Sequence, residues 1–492
     1  MAERPCVRLQ SETARFNSGV PLHSYSGEKM LKLYNTMTRT TDTFKPLSGN
    51  TVKIYNCGPT VYNYPHIGNY RAYVTADIVR RYLKYAGYGV TQVTNVTDVD
   101  DKTIRDSQKA GVPLKDFTEK YANIFFKELG LLNIEKAEHY PRATEHIPEM
   151  VELIKRLLDK GYAYKGEDGS IYFSIAKFKD YGKLAHLKAE ELKLGASGVS
   201  SDEYDKENAR DFVLWKAWTP EDGDVFWETE IGKGRPGWHI ECSVMSTKYL
   251  GDTFDIHMGG VDLIFPHHEN EIAQAEAATG KPFVRFWLHN EHLLVDGKKM
   301  SKSLGNFYTL EDIIKKGGDP LAVRFIFLAT HYRKQLNFTF EELETAKITI
   351  GRLNDFVARL DEVTNKYGSD MLAEIAEAEE KFKAAMDYDI STPEAIAAVF
   401  DLVGKANRAI EAKAMSRGGA ERIKAVMFKF DKVLGLLGQK ESAPHGVRKL
   451  AEERELARKK SDWAKADMLR DAIKAAGWIV EDTAEGHRLR KA

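Results

Sequence analysis

Hydrophobic and polar positions first fall into a regular order near Met30, and the clearest stretch runs from Val52 to Val96. Val52, Ile54 and Tyr55 make a short β-prone run that Gly58-Pro59 stops. After a polar and aromatic loop, Val74, Ile78, Tyr82 and Tyr85 recur at helical spacing, and Gly87-Tyr88-Gly89 closes that helix. Val90 to Val96 predicts the next strand. Strand, loop, helix and strand form a βαβ unit with a right-handed crossover. Its loop belongs at the carboxyl edge of a parallel sheet, where such folds bind ligands.

Further along, Asp98 to Lys102 reads as a polar strand-end loop, and helical patterns run through Phe117 to Leu129 and Ile147 to Leu158. Gly166 to Phe173 predicts a hairpin turning at Gly169. From Gly182 to about Phe226 the chain is rich in Lys and Glu with scattered Gly and Ser, which predicts an insertion of mobile loops and no core strand. Sheet character returns in Gly237 to Met245, Thr253 to His257 and Phe286 to Val295. Beyond Thr309 the pattern is almost wholly helical: Leu321 to Ala329, Glu341 to Val363, Met371 to Met386, Pro393 to Ala412 and Arg422 to Leu437, as in a helix bundle. Gln439 to Gly446 reads as a polar linker. Val447 to Ala492 starts as a charged helix and ends in a β-prone piece, Trp478 to Glu481, with a turn at Glu485-Gly486.

Composition narrows the class. A chain of 492 residues exceeds one compact core, so three or more units are expected. Hydrophobic content of 43% is ordinary, and no run of about twenty apolar residues exists to span a bilayer. The net charge of −1 excludes a wholesale basic nucleic-acid binder but allows a local basic groove. From Val447 onward, twelve Lys or Arg face nine Asp or Glu beside the exposed-looking Trp463 and Trp478. Three cysteines (Cys6, Cys57 and Cys242) do not make a disulfide framework and suit a reducing compartment. The first 29 residues lack the apolar core of a signal peptide and read as a disordered extension.

Two constellations carry candidate chemistry. Cys57 follows a strand, Cys242 lies in GWHIECS, and His267 and Glu271 lie in PHHENE. Pro266 suits a first helical turn, so His267 and Glu271 project from one face; His268 with Glu271 does nearly as well, and spacing does not choose between them. Two thiolates, an imidazole and a carboxylate suit zinc, although spacing alone favours buried core cysteines and a helix-capping His-His. The second constellation is DGKKMSKSLGN, Asp296 to Asn306. Lys298, Lys299 and Lys302 with Ser301 and Ser303 crowd cations and small donors between glycines, as a loop closing on a triphosphate requires. HIGN (His66 to Asn69) lies in the first βαβ half, with Gly68 allowing close backbone approach, so the two loops reach one nucleotide from opposite sides.

HIGN and KMSKS resemble the nucleotide motifs of class I aminoacyl-tRNA synthetases. The runs NCGPTVYNYPHIGN, NVTDVDDK, GWHIECSVMS, FDIHMGGVDLIFPHHENEIAQ, VDGKKMSKSLGN and WIVEDTAEGHRLR resemble the cysteinyl-tRNA synthetases, from about Leu31 to Arg490. The resemblance implies one Zn²⁺ per chain on Cys57, Cys242, His267 and Glu271, binding the substrate's own sulfur, with Cys57, Trp238 and His239 walling the pocket. It implies ATP contacts from His66, Gly68, Asn69, Asp262, Lys299, Ser301 and Lys302. His66 and Lys302 act on the phosphates, and Mg²⁺ accompanies ATP. The implied substrates are ATP, L-cysteine and tRNA(Cys), for a cytoplasmic monomer without membrane contact. One departure stands out: the motif's second histidine is Asn69, which can donate a hydrogen bond but carries no charge.

The expected fold is α/β: a Rossmann-type parallel-sheet catalytic domain with an insertion, then a helix bundle and a small mixed C-terminal domain. The expected bounds are 1–30 for the extension and 31–340 for the catalytic domain. Within the latter, the halves span about 31–130 and 226–300, the connective insertion about 131–225, and the KMSKS loop and stem-contact region about 296–340. A bundle at 341–440 and an anticodon-binding domain at 447–492 complete the chain. A ligase joining cysteine to an amino-sugar resembles the same core but lacks the C-terminal module. A degenerate RNA-binding homologue would not need the intact KMSKS loop.

Overall fold

The computed structural model describes residues 30–187, 211–301, 305–437, 444–483 and 486–491. β1 (Lys32–Asn35) and β2 (Thr40–Thr43) form a hairpin. β3 (Thr51–Asn56), α1 (Ile67–Tyr85) and β4 (Gly89–Thr94) form the βαβ unit. α2 (Asp101–Ala110), α3 (Leu114–Leu131) and α4 (Ile147–Asp159) come next. They lead to an antiparallel sheet of β5 (Ala163–Lys165), β6 (Ile171–Phe173), β7 (Phe212–Ala217), β8 (Trp227–Thr229) and β9 (Gly232–Pro236). α5 (Trp238–Leu250), β10 (Phe254–Gly260), α6 (Glu269–Thr279) and β11 (Val284–Asn290) supply the second half of the parallel sheet. A smaller sheet joins β12 (Leu293–Val295), β13 (Lys298–Lys299) and, past α7 (Leu310–Lys315) and α8 (Pro320–Ala329), β14 (Leu336–Phe338). Four helices follow: α9 (Phe340–Arg359), α10 (Leu372–Asp387), α11 (Thr392–Glu411) and α12 (Arg417–Leu434). The chain ends with α13 (His445–Lys459), α14 (Trp463–Ala475) and a hairpin of β15 (Trp478–Thr483) and β16 (Gly486–Lys491).

The central sheet runs β11-β10-β3-β4, all parallel, with Ile54 paired to Ile256 on one side and to Gln92 on the other. β3 passes through α1 to its outer neighbour β4, and β10 passes through α6 to its outer neighbour β11. The strand order therefore reverses between β3 and β10. A crevice opens at their carboxyl ends, because the two connections leave in opposite directions.

Successive side chains of β3 enter different cores, as a pleated strand with both faces covered requires. Ile54 packs with α1 and the helices beyond it; Tyr55 packs with α5, α6 and the insertion sheet. Arg71, in the first turns of α1 and almost fully buried, donates to the carbonyls of Glu291, His292 and Lys334 at 2.5–2.8 Å. It thereby ties the helix behind HIGN to the root of the arm that carries KMSKS. Among the described residues no helix is long and apolar enough to cross a membrane.

Several expectations are corrected. Gly237 to Met245 is the start of α5, not a strand: His239 through Ser246 are all buried, so no one-sided period survives to betray the helix. Within the stretch expected to lack a core strand, Phe212 to Ala217 is β7, hydrogen-bonded between β6 and β9 with Leu214 and Trp215 buried. Phe286 to Val295 is two strands, β11 and β12, in different sheets. Leu336 to Phe338 breaks the helical run after Thr309 as β14. The polar linker ends earlier than expected, since α13 begins at His445. Trp478 is buried under α13 and α14, whereas Trp463 is exposed. The extension with Cys6, most of the Lys- and Glu-rich stretch, Glu485 of the last turn, and Lys302 with Ser303 lie outside the described residues.

Candidate active site and metal centre

The crevice is built from four chain segments. β3 ends at Asn56 and delivers Cys57, whose backbone N–H donates to the Met258 carbonyl of β10 at 3.2 Å. Gly58 follows because a Cβ there would collide with the Asn95 carbonyl oxygen, and its N–H donates to Asn95 Oδ1 at 2.7 Å. α5 brings Cys242; its N-cap, Gly237, donates to the Leu214 carbonyl of β7 at 2.9 Å, so the insertion sheet sets the position of this helix. The segment before α6 brings His267, and the first turn of α6 brings Glu271.

Cys57, Cys242, His267 and Glu271 each offer a ligand atom, and these atoms lie within 4.8 Å of one another. The two sulfurs are 4.0 Å apart, Cys57 Sγ is 3.8 Å from Glu271 Oε1, and His267 Nε2 is 3.1 Å from the same oxygen. Two thiolates on a tetrahedral zinc at about 2.3 Å stand roughly 3.8 Å apart, so spacing and donor types both fit that ion. A second group, Cys57, His257, His268 and Glu271, meets the same distance criterion. The ambiguity between His267 and His268 is therefore present in the geometry as well as in the spacing.

Histidines surround the centre; sequence reasoning named His239 and weighed His268 as a ligand, but missed His257 and His289. His257 Nε2 lies 2.8 Å from Glu271 Oε2, His239 Nδ1 lies 2.8 Å from His267 Nδ1, and His268 Nε2 lies 3.2 Å from Cys57 Sγ. His268 Nδ1 is in turn 2.8 Å from His289 Nε2, and Thr36 Oγ1 lies 2.7 Å from His289 Nδ1. Two buried strands, β10 and β11, present His257 and His289; a histidine inside each apolar strand was the available signal. Trp238 packs against His267 with ring centroids 4.1 Å apart and planes tilted by 32°, and it is 38% exposed, which makes it an outer wall.

The electrostatics are those of a charged cluster in a buried site. Burial opposes ionisation of Glu271, but His257 and His267 outweigh it and hold the carboxyl at about 2. Burial likewise opposes charge on His267, yet Cys242 and Glu271 raise it to about 10. Burial pushes the Cys57 thiol well up, aided by Cys242, while Cys242 itself comes down to about 6 against its burial through Cys57 and His267. Burial pushes His239 and His268 well down. A proton on His267 thus balances two neighbouring anions, the part a divalent cation is suited to take.

The nucleotide-motif residues gather beside this centre. His66 is the N-cap of α1, and burial lowers its pKa to about 4 against the nearby charge of Asp262. Asp262 lies in the single turn Val261–Leu263 that follows β10. The arm after KMSKS runs along HIGN: Ile67 N–H donates to the Tyr308 carbonyl at 3.0 Å, and Phe307 meets the His66 ring edge-on at 5.1 Å. A Cβ on Gly68 would come within 2.7 Å of Met300 Cε, so the glycine lets the KMSKS methionine sit on the HIGN turn. Lys299 ends the exposed strand β13, and Asn306 clamps the loop's two ends, accepting from Ser301 N–H at 2.8 Å and donating to the Lys299 carbonyl at 3.2 Å. Asn69 lies in the first turn of α1, bonded to His66.

Comparison with known proteins gives the family. The profile of the tRNA synthetases class I (C) catalytic domain matches residues 43–348, and that of the DALR domain matches residues 381–438. The cysteine–tRNA ligase of Protochlamydia amoebophila is 48% identical over 94% of this chain and 98% of its own length. That of Methanosarcina acetivorans is 49% identical over 94% and 99%. Among solved structures, Mycobacterium tuberculosis methionyl-tRNA synthetase in complex with methionyl-adenylate superposes with a TM-score of 0.58 at 18% identity. The match covers 79% of this chain and 90% of that one, a likeness of fold alone. From the identity and coverage of these relatives, the chain belongs to the cysteine–tRNA ligase family of class I aminoacyl-tRNA synthetases.

Proposed function

We propose that this chain selects cysteine through a zinc ion on Cys57, Cys242, His267 and Glu271, and activates it on ATP held by His66, Gly68, Asp262, Lys299, Ser301 and Lys302. The reaction is the family's, joining cysteine to tRNA. In the first step a carboxylate oxygen of cysteine bonds to the α-phosphorus of ATP and the bond to pyrophosphate breaks. In the second, a terminal ribose hydroxyl of tRNA(Cys) bonds to the cysteinyl carbonyl carbon and AMP leaves. Neither step needs an enzyme nucleophile, so positioning and charge stabilisation carry the catalysis.

The convergence of two sulfurs, an imidazole and a carboxylate at the mouth of the crevice supports this reading above all other observations. Bound zinc would supply a soft Lewis acid that favours a thiolate over an alcohol, which a shaped pocket alone discriminates by only about 1–3 kcal/mol. Of the two ligand groups, the one with Cys242 uses both thiols, and His257 then orients Glu271 from behind, as carboxylate–histidine pairs do around metals. Trp238 and His239 close the pocket. Neutral His66 donates a hydrogen bond to a phosphate oxygen, Lys302 and Lys299 bring charge, and the Asp262 carboxylate accepts from the ribose. Mg²⁺ travelling with ATP, a monomeric state and a cytoplasmic setting complete the proposal. So do a bundle at 341–440 and an anticodon-reading module at 447–492.

An aminoacylation assay offering cysteine, serine, tRNA and an amino-sugar acceptor tests it. Transfer of cysteine to tRNA, with serine refused and the amino-sugar untouched, is expected; charging of the sugar would overturn the reading. Lys302→Ala is expected to lower ATP–pyrophosphate exchange by roughly a hundredfold or more while zinc stays near one per chain. Unchanged exchange would remove Lys302 from the mechanism.

The pH dependence follows from His66. Its pKa falls from the usual 6.5 to about 4, so the ring is neutral at working pH. The unfolded chain binds this proton below 6.5 and the folded chain does not. The stability it contributes is therefore complete above pH 6.5 and is lost as pH falls toward 4. Exchange should show no limb from His66 between pH 5 and 8; a limb near 6.5 that disappears in His66→Gln would contradict this.

A further inference from the structure

We infer that Asn69 is a positioning residue: it holds His66 in place at the start of α1, with its Nε2–H directed to the phosphates, and does not itself act on them. The inference rests on the reading of His66 as the phosphate donor. Two hydrogen bonds run in opposite directions between these residues. The Asn69 backbone N–H donates to His66 Nδ1 at 3.2 Å, and the His66 backbone N–H donates to Asn69 Oδ1 at 3.0 Å.

The first bond is one branch of a backbone N–H that also donates to the His66 carbonyl at 2.9 Å; it favours one tautomer and reaches the ring only while the His66 backbone is held in place. A ring nitrogen that accepts carries no proton, so the proton of the neutral imidazole sits on Nε2. The second bond holds the backbone that carries the ring. It fixes the extended N-cap conformation of His66 (φ −90°, ψ 163°) and closes the capping box. Phe307 meets the ring's face edge-on, so rotation away from Asn69 is also resisted from the KMSKS side.

The residue type matters. An amide oxygen accepts at every pH, whereas an imidazole at position 69 could cap only while neutral and would release the His66 backbone on protonation. The chain uses the same device elsewhere with another side chain. At the start of α2 the Thr103 Oγ1 accepts from the Asp100 N–H at 2.8 Å while the Thr103 N–H donates to Asp100 Oδ1 at 2.7 Å. Threonine is therefore the natural rescue at position 69.

The test combines ring-¹⁵N NMR of histidine-labelled protein with ATP–pyrophosphate exchange. Signals missing in His66→Ala assign the His66 ring. In the wild type the Nε2–H pattern is expected. Asn69→Ala keeps the backbone donor to Nδ1 but loses the Oδ1 bond that holds the His66 backbone, so the ring should drift from that donor, the two nitrogen shifts should move toward a tautomer mixture, and the exchange kcat should fall roughly fivefold to tenfold, the scale of one hydrogen bond. Asn69→Thr should restore the wild-type ring shifts and most of the rate. Asn69→His should lose rate as pH falls below about 6.5, the ordinary histidine value. A slow Asn69→Ala enzyme whose His66 shifts are unchanged would overturn the inference, as would Asn69→Thr with restored shifts and unrestored rate. Failure of the underlying reading looks different: His66→Ala would then exchange at the wild-type rate.

Discussion

Cys242→Ser is expected to lose zinc and cysteine binding together, with cysteine activation falling roughly a thousandfold or more. Cys242 is buried 4.0 Å from Cys57 Sγ and contributes the second of two soft donors. Serine keeps the size, but its hydroxyl is too weakly acidic to replace a thiolate on the metal. With the ion gone, the preference for cysteine over serine should shrink to what shape alone provides, roughly 10–200-fold. Metal analysis, cysteine binding and exchange with each amino acid read these outcomes. A zinc-free Cys242→Ser protein that still binds cysteine with wild-type affinity would end the argument. The same measurements separate the two ligand groups. His267→Ala should lose zinc, while His268→Ala should retain it because that ring stands behind Cys57; the reverse would assign the ion to the second group.

Arg324→Ala is expected to destabilise the fold by about 3–5 kcal/mol, because it strips the partners from several buried groups at once. Arg324 is fully buried in α8. It donates to the carbonyls of Leu434, Leu132 and Asn133 at 2.7–3.2 Å and to Asp77 Oδ2 at 2.6 Å. Asp77 lies in α1, the helix that His66 caps, and also accepts from Arg81 at 2.8 Å and from the Glu135 N–H at 2.9 Å. Arg81 in turn donates to the Lys432 carbonyl at 3.1 Å, so the cluster bolts the motif helix to the last turns of α12. Arg324→Lys should recover little, since an ammonium cannot match a fork that serves carboxylate and carbonyls together. Urea unfolding measures both variants. A loss below about 1 kcal/mol for Arg324→Ala would show that the buried ion pair costs as much to desolvate as it returns.

The legible parts of the chain share one property, a pattern in which each element buries one side. α1, α3, α4 and the helices from α8 to α12 show apolar stripes at helical spacing, and their existence follows from the sequence directly. α5 fails the same test because every residue from His239 to Ser246 is buried, so Gly237 to Met245 resembles a core strand. β7 is hidden for another reason: six residues with two tryptophans nearby sit beside a long charged stretch whose composition dominates the window. Trp478 looks like a surface aromatic among lysines until α13 and α14 fold over it.

Sequence by itself determined the first βαβ unit, the order of the helices from α8 to α12 and the two motifs that resemble nucleotide-binding ones. Through the resemblance of its runs, it also determined the family and the four residues expected to hold zinc. Tertiary structure alone decided that Cys57 and Glu271, 214 residues apart, meet across the reversal of strand order between β3 and β10. It also decided that His257, His268 and His289 enclose them, that Asp77 and Arg324 pair across α1 and α8, and that Asn69 faces His66. Periodicity records which side of an element is buried, since burial acts on each residue where it stands. It carries no record of which distant segment covers that side, because that depends on the path of the whole chain and on packing between surfaces that no short window contains.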